Sequence, residues 1–268
     1  ISVIIHEVGH NYFPMIVNSD ERQWSWMDEG LNTYVEYLTE ELYDNKFPSR
    51  RGPAFAIADY MKLPKDQLEP IMTNSENIIQ FGPNAYAKPA TGLNILRETI
   101  MGRDLFDYSF KEYSRRWAFK HPTPWDFFHT IENVAGEDLS WFWRSWYVNN
   151  WRFDQGINSV KYVKNDPKLG AIITIGNFEK MPLPVIMDVK TIYGKVTRVK
   201  LPVEIWQRNK EWSFKFDSTE EIQSITLDPE HVFPDNYKAV LTYCFFIILS
   251  GSVANMLLDV DKFMLNFY

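Results

Sequence analysis

The chain has 268 residues, of which 45% are hydrophobic and 16% aromatic, so it can build a packed core and is not a disordered polypeptide. The formal net charge is −7 and no long basic run occurs, which argues against a nucleic-acid partner. The single cysteine, Cys244, can form neither an internal disulfide nor a thiolate metal cage, and it leaves the compartment open. The length allows one large domain or two ordinary ones.

The first residues, Ile1 to Ile5, form an apolar run that leads directly into His6. The chain begins without an initiating Met, a basic leader or a cleavage signal. Because the ligands of a metal-binding helix need support from elements on both sides, we expect the chain to be a C-terminal fragment that has lost its N-terminal part.

The sequence HEVGH places His6 and His10 four residues apart. On a helix this spacing puts both imidazoles on one face, where they can form two Zn–N bonds. Glu7 lies between them and could act as general base on a zinc-activated water. The alternative is an ordinary helix with two surface histidines and a glutamate.

The next helix is predicted over "SWMDEGLNTYVEYLTEELYD", which carries apolar residues at helical spacing. Glu29 lies in its first turns, nineteen residues after His10, and supplies a third metal ligand. Glu36 follows two turns later on the same face, where it could accept the other N–H of a ligand histidine. A solvated helix glutamate is the alternative for Glu36.

His6-Glu7-x-x-His10 followed by eighteen residues and Glu29, within "WMDEG", resembles the gluzincin zinc aminopeptidases of the aminopeptidase N (membrane alanyl aminopeptidase) family. The resemblance covers residues 1 to about 235. It implies one zinc ion per chain, a thermolysin-like helical catalytic subdomain and removal of N-terminal residues from peptides by zinc-activated water.

The resemblance also implies a catalytic tyrosine in a Tyr-x-Lys sequence ahead of an apolar helix. Tyr86 and Lys88 of "NAYAKPATGLNILRETIMG" match it, with a helix opened by Pro89 and closed by Gly102. The Tyr86 hydroxyl would then donate a hydrogen bond to the oxyanion of the tetrahedral intermediate. From the sequence alone, the favoured interpretation of Tyr86 is an apolar side chain that packs at a helix entry, and the resemblance favours the catalytic role instead.

The predicted fold class is α+β. Residues 1–152 have helical periodicity and form the helical part of the catalytic domain, while residues 153–236 contain six or seven short alternating segments typical of a small antiparallel β-sandwich. Residues 237–268 are an apolar tail whose uncharged stretch could span a bilayer, pack as a helix or strand, or be a non-native end.

Aminopeptidases of the resembled family carry a Gly-x-Met-Glu-Asn segment ahead of the zinc helix, and its glutamate holds the substrate's α-amino group. The chain contains no such segment, so we expect it to be close to inactive alone. An epoxide-hydrolase-type relative on the same zinc scaffold and a catalytically dead binding scaffold remain alternatives. The expected partner is a peptide substrate. A periplasmic, extracellular or membrane-associated location is slightly favoured over the cytoplasm.

Overall fold

The computed structural model describes residues 1–234. The predicted tail at 237–268, with its three alternatives, therefore lies outside the described residues, as do the last two positions of the predicted 153–236 domain. Within residues 1–234, no helix combines the length and the apolar character that crossing a membrane requires.

The first 150 residues are helical with irregular connections, as the periodicity predicted. Short 3₁₀ and π-helical turns extend or join the helices, among them Asn11–Ile16, Trp26–Gly30, Gly82–Ala87, Leu96–Ile100 and Trp143–Val148. The α-helices are α1 (Ser2–Gly9), α2 (Leu31–Tyr43), α3 (Ala58–Met61), α4 (Lys88–Ile95), α5 (Arg103–Trp117), α6 (Pro124–Ala135) and α7 (Ser140–Phe142).

Helix α6 shows how local sequence sets a helix boundary. Thr123 caps it and forms a reciprocal pair with Asp126, while Pro124 occupies its first position. These contacts satisfy backbone N–H groups that have no partner inside the helix. Gly136 ends the helix in the left-handed conformation, with φ of 69°. Both boundaries are therefore set by residues within or directly beside the helix.

An aromatic core holds the helices together. Trp26, just before α2, stacks on Phe128 of α6 with ring centroids 5.9 Å apart, and Phe128 stacks on Trp143 at 4.5 Å. Because Trp26 is fully buried here, the turn that carries Glu29 is fixed by packing. Four of the five aromatic residues in the WFWRSWY segment are buried and belong to this core.

The strands form two three-stranded antiparallel sheets, with orders β1-β2-β5 and β4-β3-β6. They are β1 (Gln155–Tyr162), β2 (Ala171–Asn177), β3 (Val185–Thr191), β4 (Val196–Leu201), β5 (Glu211–Phe216) and β6 (Ile222–Leu227). The mixture of helices with antiparallel strands confirms the predicted α+β character.

One apolar cluster contains side chains from both sheets, including Ile173 of β2 and Met187 of β3. A separate cluster fills the helical part, and Met181, Leu183 and Phe233 from the strand region pack into it. The two parts of the described chain are therefore in contact through buried apolar side chains rather than joined only by a linker.

Candidate metal centre

The close packing of α1 on α2 positions the two histidines. His6 lies within α1 and His10 directly follows it. The Asn32 side chain of α2 donates to the backbone oxygen of His6 over 2.8 Å. A Cβ at Gly9 would lie 2.0 Å from Asn32 Oδ1, so a larger residue there would push the Asn32 side chain away from its present position.

Three ligand atoms converge between these helices. His6 Nε2 lies 3.1 Å from His10 Nε2 and 3.1 Å from Glu29 Oε2, and His10 Nε2 lies 3.4 Å from the same oxygen. Tetrahedral zinc with bonds of 2.0–2.1 Å has ligand atoms about 3.3 Å apart. The three distances therefore fit the edges of such a tetrahedron.

The outer ring nitrogens of both histidines face acceptors. His6 Nδ1 lies 2.9 Å from Oε2 of Glu36, and His10 Nδ1 lies 2.9 Å from the backbone oxygen of Phe13. When both Nδ1 atoms carry protons, both Nε2 atoms present lone pairs toward one point. This donor set of two imidazoles and a carboxylate suits zinc.

The electrostatics of the group favour a cation. Hydrogen bonds to Glu29 and then Glu36 raise the pKa of His6 to about 9. Burial opposes ionisation of Glu29, but the hydrogen bonds from His6 and Tyr86 prevail and lower its pKa. The carboxylates therefore stabilise positive charge between them, and a metal ion would supply that charge in place of the His6 proton.

Asp28 is a neighbour of the site that the sequence analysis did not identify. Its Oδ1 lies 3.0 Å from His10 Nδ1, within ion-pair distance, while the hydrogen bond of that nitrogen is to the Phe13 carbonyl. Burial, followed by a hydrogen bond with Glu21, raises the pKa of Asp28 to about 8. The sequence feature that could have identified Asp28 is its position directly before Glu29, because both residues lie in the same turn of helix.

Tyr86 lies beside the three ligand residues. Its hydroxyl donates to Glu29 Oε1 over 2.6 Å, and its ring stacks on His6 with centroids 5.8 Å apart. Burial and the hydrogen bond to Glu29 raise the pKa of Tyr86 above its usual value, so the phenol stays protonated near neutral pH and can donate.

The expected helix start at Pro89 was wrong. The helical turn Gly82–Ala87 already contains Tyr86, and Pro89 is the second residue of α4. Pro83 occupies the second position of that earlier turn and opens it, because proline is compatible with the first turn of a helix.

The structure thus brings together five of the six predicted site residues: His6, His10, Glu29, Glu36 and Tyr86. Glu7 is exposed on α1, and no hydrogen bond or ion pair joins its carboxylate to another residue within 1–234. The role of Glu7 at the site therefore stays a prediction from the sequence.

Comparison with known proteins identifies the family. The Peptidase family M1 domain matches residues 1–146, which is more than half of the chain. Aminopeptidase M1-A of Oryza sativa subsp. japonica is 25% identical over 175 residues, covering 62% of this chain and 19% of that protein. Aminopeptidase A of Gloydius brevicauda is 23% identical over 253 residues, covering 89% and 24%.

A solved structure of Legionella pneumophila aminopeptidase A in complex with aspartic acid has the same fold. The TM-score is 0.62 at 16% sequence identity, over 89% of this chain and 27% of that one. The chain therefore spans about a fifth to a quarter of the length of the relatives it matches.

Proposed function

The chain belongs to peptidase family M1, and from this premise we propose that it carries the metal-binding part of a zinc-dependent aminopeptidase, a hydrolase that removes N-terminal residues from peptides. The observation that carries the proposal is the convergence of His6, His10 and Glu29, whose ligand atoms all lie within 4.8 Å of one another. The aminopeptidase names of the relatives support the choice of reaction.

We assign one zinc ion per chain to His6, His10 and Glu29. Zinc, when bound, supplies a Lewis acid that polarises the substrate carbonyl and acidifies water. Glu36 orients His6 through the contact at Nδ1, and the Phe13 carbonyl orients His10. Both contacts fix the ring orientations before the metal arrives, which lowers the cost of forming the site.

Two further residues act on the substrate. Glu7 is the general base that takes the proton from the attacking water and later passes it to the leaving amine. Tyr86 donates its hydroxyl proton in a hydrogen bond to the oxyanion of the tetrahedral intermediate. In the structure the hydroxyl donates to Glu29 over 2.6 Å. It must therefore turn from Glu29 toward the substrate before it can donate to the oxyanion.

The proposed division into two domains corresponds to the two apolar clusters, one in the helical part and one between the sheets. We assign residues 1–152 to the helical, thermolysin-like part of the catalytic domain and the described residues 153–234 to a β-sandwich that packs against it. The shared core of the two sheets supports the sandwich, and the burial of Met181 and Leu183 in the helical core supports their contact.

The test uses the complete protein, loaded with zinc, and aminoacyl amides that release a coloured amine. We expect hydrolysis that a chelator abolishes and zinc restores. An N-acetylated version of the same amide is the control, because an aminopeptidase requires the free α-amino group. Hydrolysis of an epoxide but not of the amides would instead favour the epoxide-hydrolase alternative, and zinc binding without any turnover would favour a binding scaffold.

A further inference from the structure

The loop that follows α2 holds Arg51 in a fixed position. On one side of Arg51, Ser49 Oγ donates to Glu40 Oε2 over 2.5 Å, and both residues are buried. On the other side, Gly52 has φ of +98°, and a Cβ there would lie 2.8 Å from the Tyr37 ring. Because Glu40 and Tyr37 both belong to α2, the loop is anchored twice on a helix that borders the candidate metal centre.

The exposed Arg51 side chain reaches the site from this loop. Its guanidinium carbon lies 4.1 Å from the centroid of the Tyr86 ring. Stacking on an aromatic ring uses the flat face of a guanidinium and leaves the N–H donors at its edge available. No acceptor within residues 1–234 forms a hydrogen bond or ion pair with these donors.

The charges around Arg51 make this position unusual. Carboxylates predominate among the side chains of the candidate centre, which are His6, His10, Asp28, Glu29, Glu36 and Tyr86. In the described part of the chain, Arg51 is the one Lys or Arg with a recorded contact to any of them. Zinc, when bound, would be engaged by the scissile carbonyl, so a further substrate carboxylate among these acidic groups would need a second cation.

We propose that Arg51 binds a carboxylate of the peptide substrate and gives the enzyme a preference for peptides that carry one beside the scissile bond. The inference rests on the proposed aminopeptidase function and specifies its substrate class. The carboxylate has two possible sources: the side chain of an acidic first residue, or the free C-terminus of a very short peptide. Both present the planar acceptor that an arginine recognises with two parallel hydrogen bonds.

The experiment compares kcat/KM within two matched substrate pairs, using the complete zinc-loaded protein. Glutamyl and glutaminyl amides differ in side-chain charge, and dialanine and dialanine amide differ at the C-terminus. We expect the wild type to prefer the charged member of one pair, and Arg51→Gln to reduce that preference about 10- to 100-fold, as for loss of one charge-assisted hydrogen bond. The affected pair identifies the source of the carboxylate.

Arg50→Gln is the matched control, because Arg50 is the adjacent exposed arginine and has no recorded contact with the site. Arg50→Gln should leave the preference within both substrate pairs unchanged. Arg51→Lys should keep part of the preference for the charged member of the affected pair. Equal loss of kcat for all four substrates in Arg51→Gln would overturn the proposal and make Arg51 a positioning residue for Tyr86. Unchanged ratios would overturn it outright.

A binding measurement separates this proposal from the proposed function. Calorimetric titration of the zinc-loaded protein with free glutamate, glutamine, dialanine and dialanine amide requires no turnover. We expect Arg51→Gln to weaken binding of the carboxylate-bearing member of the affected pair alone. Such a result would support Arg51 even if the wild type hydrolysed none of the substrates, an outcome that would reject the aminopeptidase. Equal binding by the wild type and Arg51→Gln would reject carboxylate binding by Arg51, whether or not hydrolysis occurred.

Discussion

The Nδ1 atom of His6 lies 2.9 Å from Oε2 of Glu36, although the two residues are 30 positions apart in the chain. The contact joins α1 to α2 and orients the imidazole whose other nitrogen faces His10 and Glu29. A carboxylate on the outer nitrogen of a ligand histidine fixes the tautomer and makes the inner nitrogen a better donor to a metal.

Glu36→Gln should therefore weaken zinc binding while all three ligands remain. The amide retains the size of the side chain but loses its charge, so we expect a 10- to 100-fold higher dissociation constant for zinc. Competition with a chromogenic chelator measures it. Glu41→Gln, an exposed site on the same helix, is the control and should not change the affinity. An unchanged constant in Glu36→Gln would show that the charge of Glu36 does not support zinc binding.

Glu29→Ala should remove a metal ligand itself, whereas Glu36→Gln leaves all three ligands in place. We expect the zinc content, measured by atomic absorption after dialysis, to fall from about one per chain to a small fraction of that. The melting temperature of the variant should also stop rising with added zinc, because stabilisation by a ligand requires binding to the folded state. Full zinc content in the variant would remove Glu29 from the ligand set.

The convergence of the three candidate ligands with Glu36 could be predicted, because their spacing along two helices carries the information. Helical periodicity places His6 beside His10 and Glu29 on one face with Glu36, whatever the rest of the fold does. Tyr86 required the family resemblance, since a tyrosine beside a helix has no pattern of its own. Arg51 could not be predicted, because its place depends on the course of a loop anchored through Ser49 and on contact with Tyr86, which is distant in the chain.

Glu7→Gln should separate metal binding from catalysis. The amide cannot accept a proton from water, so we expect kcat for an aminoacyl amide to fall about 10²- to 10⁴-fold. Zinc content and melting temperature should match those of the wild type, because the exposed Glu7 side chain has no recorded partner in residues 1–234 to lose. Near wild-type turnover by zinc-loaded Glu7→Gln would show that another group is the base.

Tyr86→Phe should act on the transition state. The oxyanion exists only after water has attacked, so we expect kcat and kcat/KM to fall together by about 10²- to 10³-fold, with little change in KM. The variant also loses the hydrogen bond to Glu29, so its zinc affinity must be measured first and the assays run at saturating zinc. A change confined to KM would assign Tyr86 to substrate binding instead.

Lys88, two residues beyond Tyr86, is a buried charge with one recorded hydrogen bond. Its ammonium group donates to the backbone oxygen of Glu69 over 3.1 Å, and the residue is 1% exposed. Burial lowers the pKa of Lys88 to about 7. The same Glu69 oxygen also accepts hydrogen bonds from Tyr60 and Asn84, so removing the Lys88 ammonium group leaves it satisfied.

The lowered pKa of Lys88 should make the free energy of unfolding depend on pH. Between pH 7 and about 10.4 the unfolded chain keeps the Lys88 proton and the folded chain has lost it, so this residue makes stability rise with pH.

Lys88→Met fills the same space without titrating. We expect the stability of the wild type relative to Lys88→Met to increase by about 2 kcal/mol from pH 7 to pH 9, since the slope approaches 1.4 kcal/mol per pH unit. Urea unfolding of both zinc-free proteins at pH 7, 8 and 9 measures this difference, and all other titrating groups cancel in it. Parallel pH profiles would show that Lys88 keeps its ordinary pKa in the folded protein.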